Sequence, residues 1–125
     1  KGPTTSINKI NWESTAHGVT TATVAKATAF TGTFTANVTK QGMFTRLDLN
    51  FVNPAGNSVA AGTEVILGVV PAGFRPPVRA SKFYVGDNTN TRTPRHTIIV
   101  YTNGNIGWTP SVAAGNWTMD GSVVY

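Results

Sequence analysis

"HTIIVYTNGNIGW", residues 96–108, contains a strand whose second face needs a cover. A strand with one wet face alternates apolar and polar residues. Here Ile98, Ile99, Val100 and Tyr101 run together, which predicts a strand covered on both faces. Asn103-Gly104 predicts a hairpin turn into a second strand that contains Ile106 and Trp108. As a two-residue turn it sets Ile99 opposite Trp108 and Tyr101 opposite Ile106, and that face is expected to be the core. Ile98, Val100 and His96 then point the other way. A three-residue turn through Asn105 would instead bring His96 and Trp108 to the same face.

Ile66 and Val70 repeat the two-sided pattern on "EVILGVV". No segment carries the i, i+3, i+4, i+7 spacing of an amphipathic helix, so a helix layer is not expected to cover the second face. A second sheet layer or another copy of the chain remains, and self-association is the expectation. The alternative is a sandwich whose strands twist between layers.

The rest of the chain also reads as strands. Phe30, Phe34, Ala36 and Val38 share one parity, while Thr31, Thr33, Thr35 and Thr39 share the other. Gln41-Gly42 is expected as the turn, pairing Val38 with Thr45, Ala36 with Leu47 and Phe34 with Leu49. Arg46, Asp48 and Asn50 then fall on the opposite face. Further strands are expected over Thr63–Val70 and Lys82–Val85, with closing strands at Trp117 and Ser122–Tyr125. "GDNTNTRTPR" is expected as a polar loop. The expected fold class is therefore all-β, a small antiparallel β-barrel or sandwich. Residues 1–22 read as a connector or neck with Trp12 docked, and residues 23–125 as the β-barrel head. The sequence shows no signal peptide and no initiator Met, so Lys1-Gly2-Pro3 is expected to be a cut or processed start.

At 125 residues the chain suits one domain with one ordinary core. Cysteine is absent, which excludes disulfides and thiolate metal sites. No apolar run approaches the roughly 18 residues of a membrane-spanning helix, so no membrane insertion is expected. The net charge is +5. Arg75, Arg79, Lys82, Arg92 and Arg95 lie close together, opposed by Asp87 alone. Such a stretch is either a solvated basic face or a contact for an anionic polymer, nucleic acid or a phosphate-bearing glycan.

An enzyme is not expected. His17 and His96 are the only histidines, and neither stands in a metal-ligand spacing. No cofactor or metal is expected. Asp87 and Asp120 could pair as glycosidase carboxylates, but nothing in the sequence selects them. Saccharide binding fits the inventory better. It needs an aromatic plane for a sugar ring and short polar or charged groups for its hydroxyls. Trp108 and Trp117 offer the first; Asp87, Asn88, Arg92, Arg95 and His96 offer the second from one neighbourhood. Against each stands a plainer role: core for Trp108, surface for His96, solvation for the arginines, turn chemistry for Asp87-Asn88.

"ILGVVPAGFRPPVRASKFYV", "IIVYTNGNIGW" and "GNWTMDGSVVY" together resemble the C-terminal head domains of phage tail fibres and receptor-binding proteins, nearest to those of siphophages of lactococci and related Gram-positive bacteria. The resemblance spans roughly residues 60–125. It implies a homotrimeric β-barrel head at the tail tip or baseplate of a virion. The head would bind host cell-wall polysaccharide near protomer boundaries and join other tail proteins through a preceding part. Carried over by position, it implies a pocket of Trp108 and His96, with Asp87, Arg92 and Arg95 beside them and Asp120 as the acid. Two other classes stay open: a small β-barrel that binds nucleic acid, and a purely structural fibre or virion protein.

Overall fold

A computed structural model describes residues 18–88, 92–111 and 117–125, with backbone alone at 83–88 and 92–95. Every regular element in it is a strand: β1 (Val19–Thr23), β2 (Ala25–Lys26), β3 (Thr33–Gln41), β4 (Phe44–Asn53), β5 (Val65–Val69), β6 (Ala80–Asn88), β7 (Arg92–Val100), β8 (Asn105–Thr109) and β9 (Trp117–Val124). All the pairings are antiparallel, in the order β1-β3-β4-β9-β6-β7-β8-β5-β2. The order divides at β9 and β6, which among the described residues share the pairs Asp87↔Thr118 and Asn88↔Trp117. The result is two antiparallel sheets, β1-β3-β4-β9 and β6-β7-β8-β5-β2, and not a closed barrel. One stretch of chain serves both edges. β1 pairs with β3, Val24 donates its N–H to Ala36, and β2 pairs with β5.

The core lies between the sheets. Phe51 of β4 meets Trp108 of β8 edge-on at 5.2 Å, and Phe30 meets Phe51 at 6.1 Å. Leu47, Val38, Leu67, Val70, Ile98, Val100 and Ile106 are fully buried around them. Tyr125 ties β4 to the loop before β6. Tyr125 exchanges backbone hydrogen bonds with Thr45, and its hydroxyl donates to the Phe74 carbonyl at 2.6 Å. Burial pushes that phenol up to about 12.

The β3–β4 hairpin keeps the predicted faces but not the predicted turn. Its central residues are Gly42 and Met43, so Val38 pairs with Leu47, Ala36 with Leu49 and Phe34 with Phe51. Gly42 supplies the φ of 59° that the first position requires. The shift is two residues, one full side-chain period, so every inward residue stays inward.

The β7–β8 hairpin departs by one residue, and that reverses a face. Gly104 donates to Tyr101 at 2.9 Å, and Tyr101 donates to Asn105 at 2.9 Å, which closes a loop of Thr102, Asn103 and Gly104. Gly104 takes φ 94°, the left-handed conformation that ends a three-residue hairpin loop. Ile98 therefore faces Trp108 and Val100 faces Ile106. His96, Ile98 and Val100 form the core side with Trp108 and Ile106. Ile99 and Tyr101, expected inside, are half-buried on the outer side. There Glu64 reaches back: its carboxylate accepts from the Tyr101 hydroxyl at 2.6 Å and occupies the space a Cβ on Gly107 would need. Part of the second face is thus covered by the chain's own residues.

Two further boundaries move. β1 draws Val19–Ala22, expected in the connector, into the first sheet. β6 and β7 extend through Gly86–Asn88 and Arg92–Arg95, expected as loop. The register slips between Tyr84↔His96 and Gly86↔Thr93, which leaves Pro94 in a bulge, where a missing N–H is tolerated. Trp12 and His17 lie outside the described residues. Among the described residues no helix is long and apolar enough to cross a membrane.

Candidate functional site

Trp108 and His96 come together as the three-residue loop requires, but inside the protein. Both have 0% exposure. Trp108 donates its Nε1–H to His96 Nδ1 at 3.2 Å, with the rings stacked at 6.1 Å. Trp117, at 4% exposure, tilts against the same imidazole at 4.9 Å. Buried in this way, none of the three presents a ring face to a sugar. The period-two pattern could not expose this, because one added loop residue exchanges the two faces.

The other predicted residues separate from that pair. Asp120 is exposed on the outer side of β9, paired with Asn50. Asp87 stands in register with Thr118, and Asn88 with Trp117. Arg92 pairs with Asp87 across the hairpin. Arg95 lies in the bulged part of β7. The side chains of Asp87, Asn88, Arg92 and Arg95 lie outside the described residues. Two other members of the basic stretch are occupied by structure: Arg75 donates to the Val70 carbonyl at 2.8 Å, and Lys82 to the Ser122 carbonyl at 3.1 Å.

The outer face of β1-β3-β4-β9 assembles polar groups that the sequence did not bring together. Strand alternation sends Val38, Leu47, Leu49 and Met119 inward, so their neighbours face out. Register sets Thr23, Asn37, Asp48 and Ser122 in one row across four strands, then Thr35, Asn50 and Asp120 in the next. Arg46 donates its Nε–H to Asp48 Oδ1 at 2.8 Å, and the Ser122 hydroxyl donates to the same oxygen at 2.5 Å. The hydrogen bond from Ser122 and the adjacent Arg46 guanidinium hold the Asp48 carboxyl below its ordinary range, against a smaller opposing effect of burial. Both donors fall on Oδ1. The Arg46 and Asp48 side chains are 62% and 44% exposed, so the pair stands at the surface. Asp48 and Ser122 are 74 residues apart, a juxtaposition no local pattern announces.

One end of this sheet is apolar. Val19, Gln41 and Phe44 stand in line across β1, β3 and β4, with Met43 in the turn and Val124 on the neighbouring β9 row. Met43 is 93% and Phe44 70% exposed; Val19 and Val124 are exposed as well.

Among the described residues no group of His, Asp and Glu is arranged to hold a metal ion. No family model matches the chain, and no curated protein matches it.

Proposed function

We propose that the chain is a non-catalytic adhesin head that attaches a phage to saccharides of the host cell envelope. In this reading it sits at the tail tip or baseplate as a homotrimer. The observation that carries the saccharide reading is the Arg46–Asp48–Ser122 network on the outer face. Its donors and acceptors are fixed before any ligand arrives, and Asn50 and Asp120 stand in the next row. Charged and amide groups spaced by a sheet suit a row of sugar hydroxyls, which both donate and accept. Asp48, held ionised, is unsuited to the general-acid role that glycoside hydrolysis requires. Two acidic residues on this face also weigh against a nucleic-acid backbone as its partner.

The exposed apolar end supports association of copies, because soluble monomers rarely leave such clusters uncovered. A shallow polar face binds weakly, and three faces in one head raise the effective concentration of the other sites once one is engaged.

The test is binding of Gram-positive cell-wall polysaccharide fragments by the protein and by Asp48→Ala. The substitution is on the surface, and the fold is expected to survive it. Binding is expected to weaken roughly tenfold, the loss of one charge-assisted hydrogen bond. A folded variant that binds as tightly as the parent would remove this face from the site.

A further inference from the structure

His96 is the single ionisable residue among the buried polar side chains of the described residues; the others are Thr45 and Asn53. Its surroundings fix its chemistry. Nδ1 accepts the Trp108 indole N–H, so Nδ1 carries a lone pair and the proton of the neutral ring sits on Nε2. That Nε2 is buried with no hydrogen-bond partner. Protonation would put a second N–H where the indole N–H already points.

The position of the ring couples this chemistry to the fold. His96 belongs to β7 in the second sheet and packs on Trp117 of β9 in the first. Trp117 is also one of the two β9 residues that pair with β6, through Asn88. The imidazole therefore sits behind the β6–β9 seam, where strand pairing joins the sheets among the described residues. We propose that His96 is an acid-sensitive latch, and that its protonation opens the β6–β9 seam and destabilises the packed head.

The elements around the ring offer no counter-charge among the described side chains. Trp108 faces it from β8 and Trp117 from β9. Along β7 it is flanked by Arg95 and Thr97, and in register on β6 stands Tyr84. Burial also lowers the imidazole below its ordinary value of 6.5. The sign follows. Above 6.5 both folded and unfolded chains carry neutral His96, and stability is complete. As the pH falls below 6.5 the unfolded chain takes up a proton that the folded chain refuses. The folding equilibrium constant drops by up to about tenfold per pH unit until the folded-state value is passed. The inference is independent of what the outer face binds.

The experiment is urea unfolding from pH 7.5 to 5.0, followed by tryptophan fluorescence. It uses the protein and His96→Asn, both in a His17→Gln background. Asparagine can keep an acceptor near the Nδ1 position and does not titrate. The parent is expected to lose stability across this window, and His96→Asn to lose much less. Equal pH slopes in the two proteins would overturn the latch. If His96→Asn does not fold, the imidazole 15N shifts of the His17→Gln protein decide. A ring protonated at Nε2 alone, and not titrating while the fold persists, supports the latch. A ring that gains its second proton near 6.5 with the fold unchanged refutes it.

Discussion

Trp108 shows how a single residue's role changes with one loop residue. In the sequence it offered an aromatic plane for a sugar ring; its place in the structure is against Phe51 and His96 with no exposure. Trp108→Ala would leave a large cavity and deprive His96 Nδ1 of its donor. A loss of about 3–5 kcal/mol is expected, measurable by chemical denaturation. Gly104 is as demanding for another reason. Its φ is 94°, and a Cβ there would come within 2.5 Å of the Val70 carbonyl oxygen and 2.6 Å of Arg75 Nε. Gly104→Ala is therefore expected to cost roughly 1–3 kcal/mol in the same measurement. The Asn-Gly signal in the sequence correctly marked the hairpin. It did not distinguish a two-residue from a three-residue loop, because glycine satisfies the left-handed position of either.

At the scale of the element, alternation was a sound guide wherever both strands of a pair alternated. β3 and β4 kept their inward sets through a two-residue shift of the turn, which leaves side-chain parity intact. β7 and β8 lacked that protection, since β7 is apolar on both faces, and parity had to come from loop length. β1 was not legible: "VTTAT" offers little to bury, and it is held by its ladder with β3. The extended tips of β6 and β7 were missed for the same reason, because backbone pairing needs no apolar side chain. The Asp48–Ser122 contact depends on the pairing of β4 with β9, which no local signal fixed. Ser122→Ala should release Asp48 upward toward its ordinary 3.8, visible in a carboxyl NMR titration. The sign in the parent is that of a depressed carboxylate. Its contribution is present above the ordinary value and is lost as the pH falls through the folded one. An unmoved Asp48 in the variant would show that Ser122 does not set it.

At the scale of the molecule, two sheets share one core, and the face of one sheet carries a fixed polar network beside an exposed apolar end. The all-β class was readable from composition and periodicity, whereas the location of the candidate site was not. The residues with the most suggestive chemistry, His96 and Trp108, became interior. The proposed homotrimer predicts a solution mass of about 40 kDa by light scattering, three times 13.2 kDa. Replacing Met43 and Phe44 with serine is expected to lower it toward one chain's mass, since their exposed apolar surface supports the association. A mass near 13.2 kDa for the parent would contradict the trimer. The most direct test of the outer-face site is backbone amide NMR of the protein titrated with cell-wall polysaccharide fragments. The structure-based expectation is saturable shifts centred on Arg46, Asp48, Asn50, Asp120 and Ser122, with Trp108 unmoved; shifts absent from that face, or centred elsewhere, would contradict it.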